Sequence, residues 1–253
     1  MNHQWVFLAA SCAILSGCSR DVHSGPPSVV YVLVDVSSTT DSDRIRRQMQ
    51  SDFETVLAGW SSAGGVLRGD TIGADALNRS TVPMRASIPA FTMLNQITSD
   101  EDYYKKKVVA PAVAAVRQQF SQMMAAKPES STEILSALTV AAKTFSEEEY
   151  RDSKHKALVI LSDMVEESKV YNFRRDSVSD KRIQEIIAAE RAAGRLPSLK
   201  GIRVWKAGST TAAMDDSRTR QIEKFWEQYF AAAGADLKTE RYGAALLDFN
   251  LQW

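Results

Sequence analysis

Cysteine and histidine are scarce in this chain of 253 residues. Its two cysteines, Cys12 and Cys18, lie near the amino end, and its three histidines are His3, His23 and His155. From residue 19 onward there is no thiol for a nucleophile, a disulfide or a zinc–thiolate site. Three scattered imidazoles give no basis for a Ser-His-Asp triad. Net charge is also missing: Lys+Arg and Asp+Glu both number 31. No overall field therefore draws the protein to nucleic acid or to anionic lipid. After the first 17 residues no apolar run approaches the ~18 needed to cross a bilayer. What remains is an ordinary globular composition, 44% hydrophobic and 25% charged.

The amino end is distinctive. Residues 1–17 carry no Lys, Arg, Asp or Glu, and Trp5 to Leu15 reads WVFLAASCAIL. The run has signal-peptide length and is too short for a membrane-spanning helix. It closes in Leu15-Ser16-Gly17-Cys18, which resembles a bacterial lipobox. That resemblance implies cleavage before Cys18 and acylation of its thiol. Residues 1–17 are then a signal peptide, residues 18–28 a polar tether with Gly and Pro (SRDVHSGPP), and residues 29–253 one domain. The implied address is the bacterial cell envelope. With Ser19 and not Asp after the Cys, the expected place in a diderm host is the outer membrane, facing the periplasm.

Val29 to Asp35 (VVYVLVD) and Ala157 to Leu161 (ALVIL) are continuous apolar runs of the kind buried on both faces of a parallel sheet. Weaker strands are expected at Asp70–Leu77, Met84–Phe91, Gly201–Trp205 and Leu237–Tyr242, the second on an edge because Pro83 and Pro89 flank it. Helical spacing covers Asp43–Trp60, Tyr103–Lys127 with a break or kink at Pro111, Thr132–Phe145, Arg182–Ala193 and Thr219–Ala233. The alternation predicts an α/β fold: three layers, α/β/α, with a mostly parallel central sheet flanked by helices. The stripe Phe225, Trp226, Tyr229 and Phe230 reads as core.

Three polar clusters follow strands or open helices, where such folds place functional loops. They are Asp35-Val36-Ser37-Ser38-Thr39, Ser131-Thr132 and Ser162-Asp163. Together they offer two carboxylates and several hydroxyls. That oxygen-only set suits Mg²⁺ or another hard divalent ion and does not suit zinc or copper.

These residues resemble the metal-ion-dependent adhesion site of the von Willebrand factor type A (vWA) family. Asp35, Ser37 and Thr39 match its Asp-x-Ser-x-Ser motif, with Thr in the last place. Thr132 matches the Thr that opens a helix, with Ala137 and Leu138 at the family's spacing, and Ser131 stands where Gly is usual. Asp163 matches the Asp after a buried strand, with Met164 where Gly often follows. The resemblance implies a metal set of Asp35, Ser37, Thr39, Thr132 and Asp163, with Mg²⁺ as cofactor. It also implies an envelope protein partner that supplies an acidic side chain. On that view the site is at the surface, and Asp35→Ala weakens partner binding while leaving the fold intact.

Other readings share the same residues. A metal-free structural lipoprotein of a secretion, conjugation or mobile-element system needs the fold and not the ion. A haloacid-dehalogenase-like phosphatase also begins with an Asp after its first strand. It needs a second Asp where Ser37 stands, and a Ser cannot handle the leaving-group proton at neutral pH. The expectation is therefore a binding module and not an enzyme. Tyr171, Phe173, Arg174 and Arg175, in the loop after the third cluster, form a candidate partner rim of aromatics and guanidinium groups. Glu166 and Glu167 read as solvated charges.

Overall fold

The computed structural model describes residues 26–38, 40–73, 84–89, 100–208 and 214–251. The expected signal peptide, Cys18 and most of the tether lie outside that set, as does Thr39. Strand β1 (Ser28–Asp35) is buried along its whole length. It pairs in parallel with β2 (Gly65–Ile72) on one side and with β4 (His155–Leu161) on the other. Strand β3 (Met84–Ile88) runs antiparallel on the edge beside β2. Strands β5 (Arg203–Ala207) and β6 (Asp236–Gly243) extend the sheet in parallel beyond β4. The six-stranded order is β3-β2-β1-β4-β5-β6.

Period-two alternation divides the core between the two faces of the sheet. Val29, Tyr31 and Leu33 face one layer. It contains α4 (Ile134–Ser146), the short α5 (Glu148–Arg151), α6 (Asp180–Ala192) and α7 (Asp216–Ala233). Val30, Val32 and Val34 face the other layer, formed by α1 (Asp43–Ala63), α3 (Ala110–Met124) and the final segment through Leu246, Phe249 and Leu251. The fold is thus a three-layer α/β/α sandwich with a mostly parallel sheet. Phe225, Trp226, Tyr229 and Phe230 of α7 are fully buried. Each such side chain contributes ~1.5–3 kcal/mol or more by leaving water, so α7 is a principal pillar of its layer. Phe53 and Phe120 stack at 3.9 Å between centroids and tie α1 to α3.

One element differs from expectation and another gives it a definite form. Strand β2 begins at Gly65, not at Asp70, although the Gly64-Gly65 pair reads as punctuation. Gly65 has φ +98°, and a Cβ there would lie 2.2 Å from the Ser28 carbonyl oxygen. Gly64 caps the end of α1, so the glycine pair does end that helix, and Gly65 is required for the immediate turn into β2. The break expected at Pro111 takes the form of a π-helical turn just before the proline. A short α2 (Glu101–Tyr104) continues into a π-helical turn (Lys105–Val109) and then into α3, with Pro111 in its first turn. The wider turn accommodates a residue that cannot donate to the preceding ladder. Among the described residues no helix is long and apolar enough to cross a membrane.

Chain order places the site. From β1 the chain moves outward to β2, and it later returns to lay β4 on the opposite side of β1. The carboxyl ends of β1 and β4 therefore flank the point where winding reverses, and in open α/β sheets the ligand crevice opens there.

Candidate functional site

Asp35 is the last residue of β1 and is wholly buried. Its Oδ1 accepts the Ser37 backbone N–H at 2.9 Å. Its Oδ2 accepts the Ser162 hydroxyl at 2.7 Å. The Thr40 hydroxyl donates to the carbonyl oxygens of Asp35 and Ser37, at 3.0 and 2.9 Å, and closes the turn. Burial pushes the Asp35 pKa upward, and hydrogen bonds from Ser162 and Ser37 oppose that push.

Ser162 and Asp163 leave the end of β4. The Ser162 hydroxyl bridges the two loops: it donates to Asp35 and accepts the Met164 N–H at 2.9 Å. Asp163 is 5% exposed. Its Oδ1 accepts the Val165 N–H at 3.1 Å, whereas its Oδ2 is buried with no hydrogen-bond partner. Burial raises the Asp163 pKa to about 7; the neighbouring Asp35 adds to the rise, and Arg174 and Lys206 partly offset it. Met164 has φ 63°, a left-handed backbone that favours glycine. Its carbonyl accepts the Trp226 indole N–H at 2.8 Å, so a residue of the α7 core pins this turn.

Thr132 joins the same assembly through its backbone. Its N–H donates to the Glu167 carbonyl at 3.1 Å, and its carbonyl accepts the Glu167 N–H at 2.9 Å. The segment before it is held too: Ser38 N–H donates to the Glu129 carbonyl, and Glu129 N–H donates to the Val36 carbonyl, both at 3.0 Å. The loop after β1, the entry to α4 and the loop after β4 are thus cross-bonded in pairs. Asp35, Ser37, Thr132 and Asp163 are all buried at this junction.

Glu166 corrects an expectation. It is 1% exposed and is not a solvated charge. One oxygen, Oε2, accepts the N–H groups of Ile134 and Leu135 at 2.8 and 3.1 Å. Glu133, at the N-cap position of α4, makes no side-chain capping bond. The helix is therefore capped by a carboxylate from another loop, which meets two of its four unpaired donors. Burial raises the Glu166 pKa to about 8 against the pull of those bonds.

The expected partner rim is also revised. Tyr171 is 8% exposed and Phe173 1% exposed. The Tyr171 hydroxyl donates to Glu190 Oε1 at 2.7 Å, and Phe173 packs edge-on against Phe225 at 4.6 Å. Both aromatics face inward because apolar and acidic partners from α6 and α7 wait beneath the loop. Arg174 is half-buried and pairs with both carboxylate oxygens of Glu167, each at 3.2 Å. Arg175 alone of the four is exposed.

Among the described residues no group of three or more Asp, Glu, His or Cys side chains is placed to hold a metal ion. A cation at this junction would rest on two carboxylates and neutral hydroxyls. The orphaned Asp163 Oδ2 beside a second buried acid fits such an ion, since it is an acceptor with no donor to meet it.

No protein-family model matches the chain, and no curated protein matches it. Among solved structures it is similar to the pilus adhesin SpaC from Lactobacillus rhamnosus GG in its open conformation, with a TM-score of 0.41 and 10% identity. That similarity covers 79% of this chain, which spans about a quarter (26%) of the adhesin chain.

Proposed function

We propose that this protein is a vWA-like binding module, tethered to the bacterial cell envelope through lipid on Cys18, that engages a protein partner at the β1/β4 crevice. Asp35, Ser37, Thr132 and Asp163 would hold a hard divalent ion, Mg²⁺ by preference, and Thr39 belongs to the set by its motif. The observation that carries this reading is the buried Asp163 Oδ2, left without a donor at the switch point of the sheet. A buried carboxylate oxygen with a second acid nearby is unfavourable until a positive charge meets it. Bound there, the ion would neutralise the pair and offer a coordination position to a partner's acidic side chain. Ser162 holds Asp35 in place, and the Trp226–Met164 bond fixes the turn that presents Asp163.

The environment of Asp35 favours this role over that of a nucleophile. Both its oxygens accept hydrogen bonds and the residue is out of water. An attacking carboxylate needs an oxygen open to substrate.

Calorimetric titration of the detergent-purified full chain with MnCl₂ tests the reading. One saturable site is expected, lost in Asp163→Asn with the fold unchanged by circular dichroism. A chain that binds no Mn²⁺ or Mg²⁺ in millimolar excess would remove the metal and leave the structural-lipoprotein reading. Pull-down from envelope extract, with divalent ion and then with chelator, tests the partner.

A further inference from the structure

One cation already lies inside the molecule beside these acids. Lys206 sits on β5, paired across to Ile160 of β4 and to Tyr242 of β6. It is 5% exposed, unusual for a lysine. Its Nζ donates to the Gly208 carbonyl at 2.6 Å and to the Gly243 carbonyl at 3.3 Å. It also lies 4.7 Å from the centroid of the Tyr242 ring. Two carbonyls and a ring face hold the ammonium in place, and its charge is met elsewhere.

With Asp163, Thr219, Ile222, Glu223 and Tyr242, Lys206 lines a cavity of about 10 Å³. That is room for about one water. Burial lowers the Lys206 pKa to about 8, and Asp163, Glu223 and Asp52, in that order, hold it up. Asp52 is committed elsewhere, its Oδ1 accepting the Leu246 N–H at 2.8 Å. The second oxygens of Asp52 and Asp163 are both buried with no hydrogen-bond partner, and of these two acids Asp163 is the one that lines the cavity with Lys206.

We infer that Lys206 is the resident counter-cation of Asp163, and that its ammonium competes with a divalent ion for that carboxylate and so sets the metal affinity of the crevice. The metal half rests on the reading above; the counter-ion half does not. With Lys206 charged, the site tolerates being empty, because Asp163 faces a positive group across the cavity. The same charge repels an incoming divalent ion, so the free protein should hold metal weakly. A partner carboxylate would tip the balance towards the metal by adding negative charge.

Two measurements on the full chain separate the halves. The first is titration of wild type and Lys206→Met with MnCl₂. Removing a buried charge beside the ion should tighten binding by ~10-fold or more. Unchanged or weaker binding by a folded variant overturns the competition. The second is a double-mutant cycle in chelator, combining Lys206→Met with Asp163→Asn and read by urea unfolding. The unfolding constant of the double variant should depart from the product of the single effects by ~5-fold or more. Additive effects overturn the counter-ion assignment. If neither protein binds Mn²⁺ and the cycle is still non-additive, the metal reading fails and Lys206 keeps its role. Should Lys206→Met fail to fold, Lys206→Gln keeps a donor for the Gly208 carbonyl and serves in both measurements.

Discussion

Asp163 and Glu166 are three residues apart in one segment, both out of water, and their surroundings treat them in opposite ways. At the first turn of α4, Glu166 meets two backbone donors with one oxygen and closes a helix end. At the carboxyl ends of β1 and β4, Asp163 meets one donor with one oxygen, and the other has none. Both acids are raised in pKa by burial, Asp163 to about 7 and Glu166 to about 8. A shifted acid is therefore not in itself a mark of function. The distinction lies in what the shifted group is paired with. Glu166 is a structural clamp between two loops. Asp163 is an unresolved acceptor beside a second acid, a local conflict that folded proteins retain at sites for something absent from the chain itself.

The sharpest test of the clamp is Glu166→Ala. It leaves the Ile134 and Leu135 N–H groups buried without an acceptor, at ~1–3 kcal/mol each. A loss of about 4 kcal/mol is expected by urea unfolding. Glu166→Gln keeps an acceptor oxygen and should lose under about 1 kcal/mol. Equal losses would mean that charge and not capping matters, and the contrast with Asp163 would collapse.

Asp35→Ala comes next, at about 3 kcal/mol. The sequence reading places Asp35 at the surface and expects its removal to spare the fold. The structure buries it and gives it the Ser37 N–H and the Ser162 hydroxyl, which the substitution would strand. Partner binding by this variant cannot be read without a stability measurement beside it. Asp35→Asn, which keeps an acceptor, is the better probe.

Asp163→Asn should act in the opposite direction. An acid whose folded pKa is raised supports the fold fully below its ordinary range, near pH 4. That support is lost as pH rises through about 7. Metal-free wild type should thus weaken between about pH 4 and pH 8, and Asp163→Asn should remove its part of that slope. At pH 8 in chelator the variant is expected to gain about 2 kcal/mol. That is half of what ~1.4 kcal/mol per unit would give, because water entry softens buried charge. At pH 4 the two proteins should match. A variant that is less stable at pH 8 would mean that Lys206 and Arg174 outweigh the cost of burying the Asp163 charge beside Asp35.

Much of this was legible in the chain. Strands β1 and β4 and helix α7 announce themselves because continuous apolar runs and a wide aromatic stripe permit few other placements. Asp35 and Ser162-Asp163 could be paired because the first ends such a strand and the second follows one, and parallel neighbours bring their carboxyl ends together. What stayed hidden depends on partners distant in the sequence. Glu166 reads as solvent-facing because it stands beside another Glu, and the donors it meets belong to Ile134 and Leu135. Tyr171 and Phe173 read as a rim because they share a loop with two arginines, and their inward turn is set by Glu190 and Phe225. Lys206 stands one residue past the expected Gly201–Trp205 strand, and only the extension of β5 and the closure of β6 and α7 over it make it a buried cation.

Met164 offers the smallest test and bears on how rigidly Asp163 is presented. Its φ of 63° strains any residue with a Cβ, by about 1 kcal/mol. Yet its side chain is fully buried in the core shared with α4, α6 and α7. Removing a buried Met side chain costs ~2–5 kcal/mol, which exceeds the strain, so both Met164→Gly and Met164→Ala should destabilise. The informative quantity is the difference between them. Both lose the same packing to within one methyl group, and only glycine relieves the backbone. Glycine also loses ~0.5–1 kcal/mol in chain entropy against alanine. Met164→Gly should therefore be equal to or more stable than Met164→Ala by up to about 1 kcal/mol, the reverse of their order in ordinary backbone. If alanine proves the more stable, the turn relaxes without cost, and Asp163 is held by the Trp226 bond to the Met164 carbonyl and not by a strained backbone.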